Sequence, residues 1–217
     1  MAQILDEQRG TGEIIRDARY HHAALLADPA TQHLAAAVKQ RVERLQKAEQ
    51  ATVAADGLRL EQQALRARAE FLHDDLHRGC ELEVLVVVRK DRSLPAYTAV
   101  YRDGLSALIS LVGEEQEREV VKMCDALQAE HPQIAKKYKT DLLKLAQQAS
   151  AAQKALLQAE TDATHAFVAE VSARKDVSEQ LRRNEGALLS LFPLDRNRVR
   201  LYYRDRRKLK SKTNRPD

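Results

Sequence analysis

The chain has 217 residues, of which 44% are hydrophobic and 31% are charged, and its formal net charge is +4. Only seven glycines, five prolines and 4% aromatic residues occur, which argues against a β-sandwich or β-barrel, because those folds need frequent turns and β-branched or aromatic strands. The sequence has no apolar run of about 18 residues and no basic-then-apolar leader, so we expect neither a transmembrane helix nor an exported protein.

Two cysteines, Cys80 and Cys124, are too few for a disulfide framework and fit a reducing compartment, so we expect a cytoplasmic protein. Charge is distributed unevenly along the chain. Residues 196–217 contain ten Lys or Arg and two Asp, a balance of +8, whereas the remaining residues carry 26 basic and 30 acidic side chains, a balance of −4. A mildly acidic body with a strongly basic end favours an anionic partner, although basic ends also serve solubility.

Residues that end or bend helices are few in the first half of the chain, and their positions predict two helices. Thr11 can cap a first helix over about 12–27, which Asp28 ends because the residue before a proline avoids the α region. The second helix is predicted over about 30–90, with Gly57 as a point where it can bend. At 1.5 Å per residue, an unbroken helix of this length would extend roughly 80–90 Å.

The second half of the chain is predicted to contain three more helices. The breaks at 91–95, 131–132 and 191–195 delimit a third helix over about 94–129, a fourth over about 132–188 and a short basic helix over about 195–208. Gly104 and Gly113 are weak points of the third helix. Residues 82–88, LEVLVVV, have strand propensity but no strand partner elsewhere, so we interpret them as the buried end of the second helix. If they are exposed, they mark a self-association face.

Apolar residues in the fourth helix recur every three or four positions, which is the pattern of a coiled-coil seam. This predicted self-association seam contains Leu142, Leu145, Ala149, Ala152, Leu156 and Ala159. The second helix repeats the spacing at Leu58, Gln62, Leu65, Ala69, Leu72 and Leu76. Two helices with such seams are expected to pack against other helices.

Short connections between successive helices favour antiparallel neighbours. We therefore predict an all-α fold, an elongated antiparallel helical bundle or coiled coil with two long helices, two shorter ones and a short basic C-terminal helix. Residues 1–194 would form the bundle, and residues 195–217 would form the basic C-terminal helix and tail.

Two groups of histidines are considered as possible metal-binding or catalytic residues. His73, His77 and Cys80 lie at i, i+4 and i+7 on one helix face, a spacing that can direct imidazole and thiolate toward a soft metal. One helix supplies three ligands only with strained geometry, so we predict no metal there. His21 and His22 point about 100° apart and are interpreted as a surface pair. No P-loop, GxGxxG or nucleophile motif occurs, and no catalytic residue or cofactor is predicted.

The basic end of the chain is the most informative segment. Its candidate residues for binding an anionic partner are Arg196, Arg198, Arg200, Tyr202, Tyr203, Arg204, Arg206, Arg207 and Lys208. Arginines at i, i+4 form a cationic stripe, and interleaved tyrosines suit phosphate contact with base stacking. An anionic membrane surface fits nearly as well. In a third interpretation, Tyr202 and Tyr203 pack back on the bundle and the arginines pair with its acidic surface.

These patterns predict a non-enzymatic scaffold or adaptor that acts through protein–protein interaction and self-assembles into a homo-oligomer. The alternative is binding of nucleic acid or of an anionic membrane by the Arg-rich segment. The long seams motivate the first prediction, and the charge of residues 196–217 motivates the second.

Overall fold

The computed structural model describes residues 10–204, and every regular element in that range is helical. The predicted all-α helical bundle is thereby confirmed. The helices are α1 (Thr11–Ala27), α2 (Ala35–Val87), α3 (Pro95–Thr98), α4 (Leu105–Ile109), α5 (Gly113–Glu130), α6 (Pro132–Leu191) and α7 (Arg196–Leu201), and a 3₁₀ turn covers Gln32–Leu34.

Helix boundaries agree with the prediction where a proline sets them. α1 ends one residue before Asp28, whose backbone is extended, as the following proline favours. α6 begins at Pro132, because proline is well tolerated in the first turn, where its missing N–H leaves no bond unmade. Gly57 lies inside α2 without interrupting it.

The single helix expected over about 94–129 is instead divided into α3, α4 and α5. Gly104 is the N-cap of α4 and has φ 83° and ψ 160°, a conformation that residues with a Cβ rarely adopt. Val112 is extended, and Gly113 follows with a φ of 63°. A continuous helix cannot pass through either point, so these glycines are breaks rather than weak points.

Residues 82–87 of the valine-rich segment form the end of α2, as predicted, and Val88 follows in a turn, but the segment is buried on one side only. Val84 and Val88 are buried, whereas Leu82 and Val86 are 63% and 75% exposed. The helical conformation of residues 82–87 is therefore confirmed, and a role in self-association stays a prediction.

Within the described residues, the chain divides into two compact units. Unit 1 comprises residues 10–54 and 163–204, and unit 2 comprises residues 55–162. Each unit contains a segment of α2 packed against a segment of α6. The predicted division at residue 194 separates α7 from the bundle, but α7 contributes to the core of unit 1.

The core of unit 1 is formed by one apolar face of each of its helices. Its large members are Ile14, Ile15 and Leu25 of α1, Val38, Val42 and Leu45 of α2, Val177, Leu181 and Leu188 of α6, Val199 of α7 and the adjacent Tyr202. Burial of each such side chain stabilises the fold by about 1.5–3 kcal/mol relative to exposure.

The core of unit 2 is formed by α2, α3, α5 and α6, and α4 packs against it. It contains Cys80, Val84, Val88, Tyr97, Val100, Tyr101, Val120, Met123, Cys124, Leu127, Ile134 and Leu142. The packing of α3 against α2 is reinforced by a hydrogen bond of 2.5 Å from the Tyr97 hydroxyl to Glu81, which also accepts from Arg92 at 3.2 Å. Burial raises the pKa of Tyr97 to about 12, so this donor stays protonated.

Candidate functional site

The basic C-terminal segment is fastened to unit 1 through Asp28. One carboxylate oxygen of Asp28, Oδ2, accepts hydrogen bonds of 2.6 Å from the Tyr202 hydroxyl and from the Arg198 guanidinium. The Tyr202 and Arg198 bonds, with a third from the Ala30 N–H, lower the pKa of Asp28 to about 2. Arg198 also lies 3.9 Å above the centre of the Phe192 ring. The two candidate residues therefore form contacts within the chain.

His21 also contacts this segment, through the backbone of Tyr202. Its Nδ1 lies 2.9 Å from the Tyr202 carbonyl and its Nε2 lies 3.0 Å from Nδ2 of Asn184, whose side-chain oxygen accepts from Gln180 at 2.8 Å. This network assigns the neutral tautomer that donates from Nδ1 and accepts at Nε2. Burial lowers the pKa of His21 to about 4, which keeps that tautomer at neutral pH. His21 is fully buried, so the expectation of a surface pair is wrong for this residue.

Further contacts dock this segment, among them a hydrogen bond of 3.2 Å from the Tyr20 hydroxyl to the Leu201 carbonyl. The Tyr203 hydroxyl donates to the Leu181 carbonyl at 3.0 Å, and its ring centre lies 4.7 Å from that of His21. Arg204 forms an ion pair of 3.3 Å with the buried carboxylate of Asp17. The arrangement matches the third interpretation of the segment, in which its tyrosines pack back on the bundle.

The predicted anion-binding residues thus divide into three groups. Arg198, Tyr202, Tyr203 and Arg204 make intrachain contacts, and Tyr202 is only 4% exposed, which prevents it from stacking on a base. Arg196 and Arg200 are exposed, and neither side chain has a hydrogen bond or ion pair with any residue in the range 10–204. Arg206, Arg207 and Lys208 lie outside the described residues. Anion binding stays a prediction, carried in the described range by Arg196 and Arg200.

The predicted self-association seam of α6 lies inside the chain. Leu142, Ala149 and Leu156 are buried, and Leu145, Ala152 and Ala159 are half-buried. Leu142 belongs to the same core as Cys80 and Val120, which lie on α2 and α5. Because the seam packs helices of one chain together, a surface for self-association has to be sought among exposed residues.

The second group of histidines forms a buried pair in unit 2. His73 and His77 are both inaccessible to solvent, and their Nε2 atoms lie 3.0 Å apart, so one imidazole donates to the other. Burial lowers the pKa of His77 to about 3, with a further contribution from His73. Burial lowers the pKa of His73 as well, although Asp74 and Glu70 oppose the shift.

Neither a metal centre nor a reactive thiol follows from this pair. No group of three or more His, Cys, Asp and Glu side chains among residues 10–204 is arranged to hold a metal ion. Cys80 is buried one turn beyond His77, and burial raises the pKa of its thiol. Cys124 lies in the same core, and burial raises the pKa of its thiol to about 12. Both thiols are therefore protonated at neutral pH and inert as nucleophiles.

The break at Gly104 creates a cleft of about 520 Å³ in unit 2. Its apolar lining includes Leu108 and Met123, and its rim carries Glu119 and Lys122, which pair with each other at 2.6 Å. The volume lies in the range of small-ligand sites. This cleft was not predicted, because a continuous third helix would not have formed it.

Comparison with protein families, with curated proteins and with solved structures gives no match for this chain. No helix within residues 10–204 is both long and apolar enough to cross a membrane. The geometry of the described residues is therefore the basis for any proposal about function.

Proposed function

We propose that this chain is a helical binding protein that acts as a scaffold or adaptor through protein–protein interaction and self-assembly, without catalysis. The observation that carries the proposal is a set of large apolar side chains on the two long helices that are more than half exposed. They are Val53, Leu58, Leu60, Leu65, Phe71, Leu82, Val86 and Val87 of α2 and Leu157, Phe167 and Val168 of α6. Single exposed apolar residues are ordinary, but rows of them along a helix are typical of interaction surfaces.

Burial energy supports this proposal. A leucine or phenylalanine that is more than half exposed gains about 1–2 kcal/mol when a partner covers it, on the usual scale for apolar area. Several such residues on one helix face therefore contribute several kcal/mol toward a complex, which offsets part of the entropy lost on association. The α6 seam already shows that helices of this composition pack tightly, since Leu142 and Leu156 are 0% and 4% exposed within the chain.

The first experiment measures mass by sedimentation equilibrium over a wide range of protein concentration. We expect the average mass to rise from the monomer value of 24.5 kDa toward a multiple of it as concentration increases. High salt should leave the association unchanged or strengthen it, because apolar burial drives it. A mass that stays at the monomer value at every concentration would contradict self-assembly.

A second candidate function is binding of nucleic acid or an anionic membrane by the basic segment. It is supported by Arg196 and Arg200, which lie on one side of α7, four residues apart, and are exposed without an ion-pair partner in the described range. Phosphates or anionic headgroups are the natural partners of such arginines. The docking of α7 on Asp28 holds both arginines on a fixed helix.

Neutralising these two arginines tests this candidate. The double variant Arg196→Gln/Arg200→Gln should bind a labelled DNA duplex or phosphatidylserine vesicles more weakly than the unmodified chain. For DNA, the slope of log affinity against log salt should become shallower by up to about 2, because each lost phosphate contact removes about 0.9. Fluorescence anisotropy at several salt concentrations measures both effects.

The matched control removes the same charge elsewhere. Arg102→Gln/Arg118→Gln changes two exposed arginines of unit 2, and its binding should equal that of the unmodified chain. Equal losses in both double variants would mean that net charge alone attracts the anion. Point substitutions are preferable to a truncation after Leu194, because a truncation also removes Val199 and Tyr202 from the core of unit 1.

A further inference from the structure

One face of α2 in unit 2 carries a repeated exposed apolar pair. Gly57-Leu58, Ala64-Leu65 and Phe71-Leu72 recur at intervals of seven residues, and all six residues are exposed. The exposed fractions are 56% for Leu58, 58% for Leu65, 36% for Leu72 and 58% for Phe71. Residues seven apart lie almost directly above one another on a helix. We call these six residues the leucine face.

The leucine face lies beside the surface that α2 uses within its own chain. The intrachain surface includes the buried His73 and His77 and the half-buried Gln62, Ala69 and Leu76. The predicted seam of the second helix therefore splits in the structure. One half of the seam is partly buried and consists of Gln62, Ala69 and Leu76. The other half is exposed to solvent and consists of Leu58, Leu65 and Leu72.

Two charges of opposite sign lie within the leucine face, between its two columns. Glu61 and Arg68 each follow a leucine by three residues and the other member of the pair by four, so they lie on one line along the helix, one heptad apart. Both are exposed, and neither forms an ion pair with any residue between 10 and 204. Arg68 instead lies over the Phe71 ring, with 5.8 Å between its guanidinium carbon and the ring centre.

We propose that the leucine face binds the leucine face of a second copy in antiparallel orientation, with the two-fold axis beside Ala64 and Leu65. The proposal rests on the self-assembly proposed above and assigns its surface. In this register the leucine column lies against the leucine column of the second copy, with Leu58 beside Leu72, and the other column lies against its own counterpart, with Gly57 beside Phe71. The large Phe71 ring thus meets a glycine, which allows the two helices to approach closely.

The charges favour the same arrangement. With the axis beside Leu65, Glu61 of each copy faces Arg68 of the other, so two symmetric ion pairs form. A parallel pair would place Glu61 against Glu61 and Arg68 against Arg68, which is repulsive. Self-complementarity in both size and charge is the reason for choosing a second copy of this chain rather than another protein as the occupant.

The first test compares two leucines of unit 2 that have similar exposure. Leu65→Glu places two carboxylates beside the two-fold axis and should weaken self-association about a hundredfold or more, since apolar burial is lost in both copies. Leu157→Glu is the matched control, because Leu157 is 52% exposed but lies on α6, outside the leucine face. It should leave association unchanged. Circular dichroism checks that both variants remain helical.

The second test addresses register and orientation. Glu61→Arg and Arg68→Glu should each weaken association of the variant with itself by about tenfold, because each turns two ion pairs into repulsions. A mixture of these two variants should form heterodimers with affinity close to that of the unmodified chain, since every facing pair is again of opposite sign. Failure of the mixture to recover would overturn the antiparallel register.

The outcomes separate this inference from the broader proposal. If the unmodified chain self-associates and Leu65→Glu does so equally well, the leucine face is not the interface, and self-assembly through another surface stands. If the unmodified chain stays a monomer at every concentration, both self-assembly and this interface are contradicted.

Discussion

A fall in pH from 7 to 5 is expected to destabilise both units, because each contains a histidine that is buried in its neutral form. The pKa values of His21 and His77 are about 4 and about 3 in the folded chain, against 6.5 for an exposed histidine. Between 6.5 and the folded value the unfolded chain binds more protons, so stability is complete above pH 6.5 and declines as the pH falls. Each histidine contributes a loss of about 1.4 kcal/mol per pH unit, or about 2 kcal/mol at pH 5.

Urea unfolding followed by circular dichroism at several pH values between 7 and 5 measures this loss. The pKa of Asp28, at about 2, lies far below this window, so this carboxylate does not contribute to the loss. The variant His21→Gln should be less stable than the unmodified chain at pH 7 but should lose less further stability on acidification. An identical pH dependence in the variant would show that His21 is not the titrating group in unit 1.

The helix ends set by local steric rules were predictable from the sequence. The residue before a proline avoids the helical region whatever surrounds it, so Asp28 and His131 identify the ends of α1 and α5. Glycine gives a weaker signal, since Gly57 is accommodated in α2 while Gly104 adopts a φ of 83° and precedes the start of α4. A Cβ at either glycine would meet open space, so close packing at the glycine does not account for the difference.

Burial was the feature that local patterns described least well. His21 follows Ile14 and Ala18 at helical spacing, which indicates the inner face of α1, yet its adjacent His22 suggested a surface pair. What makes burial of His21 tolerable is Asn184, which lies 163 residues away in sequence. Burial of His73 and His77 was not predictable from local patterns either, because it depends on each imidazole satisfying part of the other's hydrogen bonding.

Heptad spacing predicted that residues need a partner but not where that partner lies. On α6, the seam that includes Leu142 and Leu156 is covered by the chain's own helices. On α2, the intrachain surface turns toward His73 and His77, and Leu58 and Leu65 remain exposed. The sequence pattern is the same on both helices, and only the placement of neighbouring helices decides which seam is internal.

Replacement of Tyr202 by alanine is expected to lower the stability of unit 1 by about 3–5 kcal/mol, the usual cost of deleting a large buried aromatic side chain. Tyr202 is 4% exposed, its hydroxyl bonds Asp28, and its ring is stacked with that of Phe192 at 6.4 Å. Urea unfolding at pH 7 measures the change. Phe167→Ala is the control, because Phe167 is an aromatic residue of unit 1 that is 52% exposed, and it should cost less than about 1 kcal/mol.

Tyr202→Phe separates the hydroxyl from the ring. It leaves the core filled and removes one hydrogen bond to an ionised carboxylate, so we expect a loss of about 1.5–3 kcal/mol. It should also bring the pKa of Asp28 closer to its ordinary value, because the Tyr202 bond is the largest cause of the depression. Equal losses in the alanine and phenylalanine variants would mean that the ring contributes nothing, contrary to its burial.

The alanine variant of Tyr202 also distinguishes two ways in which the basic segment can attract an anion. Tyr202→Ala keeps every positive charge of the chain but loosens the docking of α7 on Asp28. If Arg196 and Arg200 bind as a fixed pair on α7, affinity for duplex DNA should fall in this variant without a change in net charge. If affinity is unchanged, attraction depends on the summed charge of residues 196–217, and the helical presentation of the two arginines is not required.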